Sequence, residues 1–281
     1  MKHEENYSTT EWTELIKNEI LTIAIESPLV VTAAQENASL FGEPFMGVAD
    51  GDDPIFGEYK NIIHPEHLTP LEALAKAVDR CPVDFPERIS VISWALPYGR
   101  ALRKSNYKMT GSASPLWSGV FGEKRKLIRV LCKGVADMLS DKGHLAVSPV
   151  TQPFYGVLGG PVSNWSERHI AYAAGLGTFG MSGLFITEMG VANLLGSVVT
   201  DIALPVTPRT TQTPYDNCLF HATGKCEICM KRCPSGAIGE QGHNGKKCKT
   251  YEESVGCCEL CQTKVPCEFQ NPTRKLKKDR T

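Results

Sequence analysis

The sequence predicts an α+β fold over residues 1–205, followed by a small cysteine-rich domain over residues 206–281. Three observations carry this. Helical apolar periodicity and short β-rich runs are mixed through the first part without a regular βαβ rhythm. Nine of the eleven cysteines lie between Cys218 and Cys267. Between the two parts, Pro205 to Pro214 is rich in Pro and Thr and reads as a linker.

The elements follow in order. Ser8-Thr9-Thr10-Glu11 has the form of a capping box, and Trp12, Leu15, Ile16, Ile20 and Ile23 follow at near-helical spacing, so a first amphipathic helix is expected. Gly42 to Thr69 is rich in Gly, Pro and Asp and reads as one long loop. Thr69-Pro70 opens a short helix through Val78, with proline where its missing N–H costs nothing. Ile89 to Leu96 is a buried strand ending at Pro97. Glu123 to Leu139 is a long helix whose apolar face is Leu127, Val130, Leu131, Ala136 and Leu139, with Gly143 as its stop. His144 to Val150 reads as a second strand. Asn164-x-x-Glu167 caps a further helix that ends at Gly175, and Leu184–Thr187 and Leu194–Ile202 are β-type segments joined through Gly190.

Composition narrows the function. An apolar fraction of 42% with 22% charged residues is that of an ordinary globular chain with a normal core. The net charge of −1 gives no field to recruit nucleic acid or an anionic membrane, so neither is an expected partner. The basic run from Arg274 to Arg280 reads as a solvated terminus. No apolar stretch is long enough to span a bilayer, and Met1 to Tyr7 has no apolar leader core or twin arginine. A cytoplasmic protein is expected, and reducing conditions there favour metal ligation over disulfides.

The cysteine spacing is the most specific signal. The first group is Cys218-(seven residues)-Cys226-x-x-Cys229-x-x-x-Cys233-Pro234, Cys248 stands alone, and the second group is Cys257-Cys258-x-x-Cys261-(five residues)-Cys267. The bacterial ferredoxin run is C-x2-C-x2-C-x3-C-P, and its fourth cysteine ligates the other cluster. All but the first spacing of that run is present, and the longer gap after Cys218 is a loop whose closure costs little. A C-x2-C turn aims two sulfurs at one iron cube, while the x3 gap turns the next sulfur toward another. Eight ligands suit two [4Fe–4S] clusters. Two four-cysteine zinc sites are the competing reading, and the Cys-x3-Cys-Pro run favours clusters.

At this point the chain resembles the cobalamin-dependent epoxyqueuosine reductases and the related reductive dehalogenases. The resemblance rests on Glu167-Arg168-His169-Ile170-Ala171-Tyr172-Ala173-Ala174-Gly175-Leu176-Gly177-Thr178-Phe179-Gly180, on Leu195-Gly196-Ser197-Val198-Val199-Thr200-Asp201, on the cysteine domain with Gly256 and Cys258-x-x-Cys261-Gln262, and more weakly on Ile89 to Tyr98. It implies a nitroreductase-like N-terminal domain cradling a base-off cobalamin, and a ferredoxin-like C-terminal domain. It also implies crossed ligation: Cys218, Cys226, Cys229 and Cys267 on the first cluster, Cys233, Cys248, Cys258 and Cys261 on the second. Cys257 is then surplus, and Cys81 and Cys132 read as core cysteines. A flavin is the alternative occupant of such a fold. Asn164, Gly175, Leu176, Gly177, Thr178, Thr200 and Asp201 are the candidate cofactor contacts.

The chain also departs from the family. Pro161 stands where the proton-donating Asp precedes the Glu-Arg pair, and Gly180-Met181-Ser182 replaces Gly-Lys-Asn, which points away from epoxyqueuosine itself as substrate. Tyr155, His169 and Tyr172 are the candidate proton donors, each with an equally plain structural reading as a packed side chain. Gly175 and Gly177 read either as a helix stop or as a close approach to a large ligand. Asp201 reads as a loop cap or a cofactor contact, and His243 as a support for the second cysteine loop. Two functions follow. One is a reductase whose clusters feed a corrinoid that reduces a small molecule or a partner's corrinoid, with ferredoxin or flavodoxin as electron donor. The other is a non-catalytic electron-transfer protein.

Overall fold

The computed structural model describes residues 7–27, 40–78, 88–121, 124–159, 162–274 and 276. Its main body is a mixed helix-and-sheet fold built on four antiparallel strands in the order β1 (Phe45–Asp50), β2 (Ser90–Pro97), β8 (Asn193–Thr200) and β3 (Ala146–Val147). Every residue of β2 is buried, as a central strand covered on both faces must be. Pairing puts Gly47, Ser93 and Ser197 on one face, and Met46, Trp94 and Gly196 on the other.

Those two faces receive different helices. On the first, the Ser197 hydroxyl accepts from the Trp165 indole at 2.9 Å, beside the helix Glu167–Ala173. On the second, a Cβ added at Gly196 would lie 2.5 Å from the Trp94 ring and 2.9 Å from Cys132 Sγ, which belongs to the helix Lys124–Asp141. The glycine is therefore the flat spot on which an indole and a helix both rest. The first helix, Thr9–Glu26, packs against Lys124–Asp141, burying Trp12, Ile16, Ile20 and Ala24. Its N-terminus carries the expected capping box, with Ser8 and Glu11 bonding reciprocally. Pro70–Val78 is helical as expected, with a second such box between Thr69 and Glu72.

Several expectations are corrected. Gly42 to Thr69 is not one loop: it contains β1 and the helix Ile55–Ile62. Gly47 sits inside β1 because a Cβ there would meet the Ala174 carbonyl oxygen at 2.2 Å; its glycine marks a close approach, not a turn. The second strand shrinks to Ala146–Val147, because Pro149 begins a 3-10 turn through Thr151. Ser166, not Asn164, holds the N-cap position of Glu167–Ala173, while the Asn164 amide bridges Gly156 N and Phe154 O. That helix ends at Ala173, and Gly175 follows at φ +72. Val130 is 44% exposed and lies off the buried face of its helix. Cys81 and Pro161 fall outside the described residues.

The Pro/Thr stretch is docked along the sheet. Thr207 N donates to Val48 O at 2.8 Å and Val48 N to Thr207 Oγ1 at 3.0 Å, covering the outer edge of β1. Arg209 then reaches Asp53 Oδ2 at 2.5 Å and Ala173 O at 3.0 Å. Beyond it lie the short helices Leu219–Thr223 and Ile228–Arg232, the small hairpin of β9 (Ile238–Gly239) and β10 (Gly242–His243), and the helix Gly245–Val255. A second apolar cluster joins Cys218, Ile238 and Val265 of this region to Met181, Ile186 and Val191. Those last residues flank or lie in the hairpin of β6 (Gly177–Phe179) and β7 (Phe185–Thr187), so apolar packing crosses the expected boundary at residue 205. Among the described residues no helix is long and apolar enough to cross a membrane.

Because Gly196 carries both Trp94 and Cys132, a side chain there overpacks the centre of the sheet. Gly196→Val is expected to destabilise the protein by roughly 1–3 kcal/mol, read as a lower unfolding midpoint, with Gly57→Ala as control because a Cβ there meets nothing within 4 Å. An unchanged midpoint would show that this contact is not tight.

Candidate metal centre

The local backbone around each cysteine decides where its sulfur goes. Cys218 is the N-cap of Leu219–Thr223. Cys226 precedes, and Cys229 lies within, the helix Ile228–Arg232, while Cys233 follows that helix in extended conformation (φ −81, ψ 106). Cys248 sits in Gly245–Val255, whose Asn244 side chain caps Lys247 N at 3.0 Å. Cys258 and Cys261 flank Glu259, a non-glycine residue at φ +49 that bends the C-x2-C turn. Cys267 lies where the chain returns to the main body, its carbonyl accepting from Val191 N at 2.7 Å.

The thiols fall into two separate groups. The electrostatic neighbours of Cys229 are Cys218 and Cys226, and those of Cys267 are Cys229, Cys218 and Cys226. Cys248 faces Cys233 and Cys258, and Cys261 faces Cys258, Cys248 and Cys233. Cys233 therefore turns away from Cys229, four residues earlier, toward the other group. Cys257 joins neither: it is buried in the main core, and its carbonyl accepts from Ala113 N at 2.9 Å.

Burial pushes the Cys229 and Cys248 thiols up to about 11, and raises those of Cys258, Cys261 and Cys267 as well, with neighbouring thiols adding to the effect. Cys233 is lowered. Burial opposes this, but hydrogen bonds from Ser235 and from the backbone N–H groups of Ala237 and Ile238 outweigh it. Grouped thiols of this kind can take a soft metal on losing their protons, and the N–H donors on Cys233 favour its thiolate. Four soft thiolates per group fit a four-iron cluster. Among the described residues no three His, Cys, Asp or Glu side chains are grouped as around one metal ion, and the ligands of such a cluster, each on its own iron, need not be.

The expected cofactor contacts are engaged within the protein. Both polar ends of the Asn164 amide are bonded, Thr178 Oγ1 accepts from Asn217 N at 2.8 Å, and Thr200 Oγ1 from Ile202 N at 3.3 Å. Asp201 Oδ1 accepts from Leu145 N at 3.1 Å and lies 3.2 Å from His144 Nδ1, the cap geometry. Leu176 is buried. A Cβ at Gly175 would meet Pro208 O at 3.0 Å, and one at Gly177 would meet Ile186 O at 2.2 Å, so both glycines answer to protein neighbours.

Of the candidate proton donors, His169 and Tyr172 share one helix and flank Phe179, while Tyr155 packs against the main core before β4 (Val157–Gly159). Burial pushes His169 down to about 3, with Arg168 adding to the effect, and its Nδ1 lies 2.8 Å from Ser166 Oγ. It is a neutral imidazole at ordinary pH.

Charged groups that the motif reading passed over stand beside these. Arg168 donates to the Gly183 carbonyl and is an electrostatic neighbour of Cys248. Both carboxylate oxygens of Glu167 are buried with no well-formed hydrogen bond, and burial raises its pKa to about 7 against the opposing pull of the nearby Ser197 hydroxyl. Polarity inside a matched motif was the available signal for both. For Arg209, which joins Asp53 to Ala173, the sequence held none.

No family model matches the chain. It is 37% identical over 87 residues to the epoxyqueuosine reductase of Aliivibrio fischeri, covering 30% of this chain and 21% of that one. It is 34% identical over 128 residues to that of Escherichia coli, covering 45% of this chain and 29% of that one. The matches thus span less than a third of these relatives. A catabolic reductive dehalogenase solved with 3-bromo-4-hydroxybenzoic acid has a similar fold, with TM-score 0.52 and 13% identity over 96% of this chain and 38% of that one. An epoxyqueuosine reductase solved with a modified tRNA stem loop aligns with TM-score 0.45 and 16% identity over 92% of this chain and 66% of that one.

Glu167 gives a pH signature. Its unfolded carboxyl ionises near 4.5 and its folded one near 7, so the folded state holds the proton more tightly. That stability is complete below about 4.5 and is lost as pH rises toward about 7. Glu167→Gln is expected to remove a decline of ~3 kcal/mol in anaerobic denaturation across that window; identical pH profiles for both proteins would contradict it. The chain resembles the epoxyqueuosine reductases in sequence over part of its length, and reductive dehalogenases in fold over nearly all of it, as a divergent relative.

Proposed function

We propose that the protein is an iron–sulfur reductase. Cys218, Cys226, Cys229 and Cys267 would hold one [4Fe–4S] cluster, and Cys233, Cys248, Cys258 and Cys261 a second, in a ferredoxin-like region over residues 206–281. The observation that carries this is the division of the thiols into those two groups of four, with Cys257 in neither. Bound clusters would supply one-electron transfer at low potential. The protein's own contribution is to bury the thiolates among Met181, Ile186, Val191, Ile238 and Val265, and to donate N–H groups to Cys233.

The similarity to epoxyqueuosine reductases and to a dehalogenase whose structure was interpreted as B12-dependent suggests a corrinoid as the electron acceptor, in a nitroreductase-like region over residues 1–205. The flavin alternative gains no support from these relatives. The polar atoms expected to meet a corrinoid are bonded within the protein, so no step is derived through it. That same observation favours the second reading, an electron carrier that docks a redox partner such as ferredoxin or flavodoxin at one end of its path. The expectation of no nucleic-acid partner rests on net charge alone. Nucleic-acid binding therefore belongs among the outcomes to be measured.

Anaerobically purified protein is expected to carry about eight irons. Cys257→Ser should keep them, and Cys261→Ser should fall to about four. Far fewer irons in the wild type, or equal loss in both variants, would sink the proposal. Adding cobalamin anaerobically then separates the readings: a changed corrinoid spectrum supports the reductase, and none leaves the carrier.

A further inference from the structure

Arg232 stands between two cluster cysteines, Cys229 and Cys233, and its guanidinium is clamped by the main body. Its Nη1 donates to Met109 O at 2.9 Å, and its Nη2 to Asn106 O at 3.1 Å and Thr263 Oγ1 at 3.4 Å. Nε is different. It is buried and has no hydrogen-bond partner. A buried donor with nothing to accept from it has lost its hydration without compensation. The electrostatic neighbours of the guanidinium are Cys258, Cys261 and Glu268. Glu268 is already taken by Arg103 at 2.6 Å, Tyr107 at 2.8 Å and Lys264 N at 2.6 Å. Cys258 already receives the Leu260 backbone N–H, whereas Cys261 is raised by burial and electrostatic neighbours alone, which leaves its sulfur as the neighbour open to a further donor.

That group is also where other fixed charges gather. Arg168 neighbours Cys248, while Glu252 and Glu259 neighbour Cys248 and Cys258. Glu259 accepts from the Trp117 indole at 3.0 Å, which spreads its charge. In the first group, the electrostatic neighbours of Cys229 and Cys267 are cysteines alone. The two groups therefore sit in different fields.

We propose that Arg232 is a tuning residue for the second cluster: its Nε–H donates to a sulfur of the cluster held by Cys233, Cys248, Cys258 and Cys261, and its clamped charge holds that cluster's reduction potential higher than it would be without it. Reduction adds negative charge, and a fixed cation with an N–H donor stabilises the reduced form more than the oxidised one. This rests on the two-cluster reading above. Because Asn106 and Met109 hold the guanidinium, the same side chain ties the cluster's potential to the seating of the cysteine region on the main body.

The test is an anaerobic redox titration followed by EPR on wild type, Arg232→Lys and Arg232→Met, with the second cluster's signal assigned as the one lost in Cys261→Ser. In Arg232→Met the reduced-to-oxidised ratio of the second cluster at fixed ambient potential should fall about tenfold, equal to about 59 mV for one electron, with the first cluster unmoved. Arg232→Lys keeps charge but loses the Nε–H, and should fall by a smaller factor. A purely structural role would leave the midpoints alone. Full iron content with both midpoints unchanged, or equal shifts of both, overturns the proposal. If Arg232→Met loses the second cluster, Arg232→Lys decides by the same criterion. Iron content of the wild type is read first: too little removes the two-cluster reading, whereas eight irons with an unmoved second midpoint removes only this one.

Discussion

The arrangement depends on how one short helix ends. Ile228–Arg232 places Cys229 in one thiol group, and the extended backbone at Cys233 sends the next sulfur into the other. Hydrogen bonds from Ala237 N and Ser235 to Cys233 hold that turn in place. Without it both sulfurs would face one site, and Cys267 would have no group to complete. Everything proposed about electrons passing between two centres rests on this divergence.

The cysteine region is bonded to the main body at both ends of its cysteine run. Phe179 N donates to Pro214 O, Asn217 N to Thr178 Oγ1, Val191 N to Cys267 O and Ala192 N to Glu268 O. Gly190, at φ +91, lets the β7–β8 connection pass within a Cβ's reach of the Glu268–Gln270 backbone, where any side chain would collide at about 2.5 Å. The hairpin that carries the matched Gly-Leu-Gly motif thus serves as the seat for the cysteine region. That is a physical reason for the motif's glycines which needs no ligand.

What could be read from the sequence was what is local. Cysteine spacing, the Ser8 capping box and the apolar run of β2 each depend on neighbours a few residues away, and each left its mark in the pattern. The strand Phe45–Asp50 did not, because its identity comes from pairing with β2 some 45 residues later, and its Gly47 imitates a turn. The docking of Thr207 on Val48 and of Arg209 on Asp53 joins positions more than 150 residues apart, so the Pro/Thr stretch looked like a free linker. The role of Asn164 was misjudged for a similar reason: a residue that bonds Gly156 and Phe154 resembles, in isolation, a helix cap. The division of the thiols into two groups is equally non-local: spacing alone does not give it, the family resemblance implies it, and in the structure Cys267 is an electrostatic neighbour of Cys229.

The most direct test of the central claim is Mössbauer spectroscopy of protein reconstituted with iron-57, before and after reduction. Two spectrally distinct cubane components in equal area, with magnetic interaction between them on full reduction, are what two adjacent four-thiolate groups predict. A single component, or isolated ferrous or ferric ions in sulfur sites, would contradict the account.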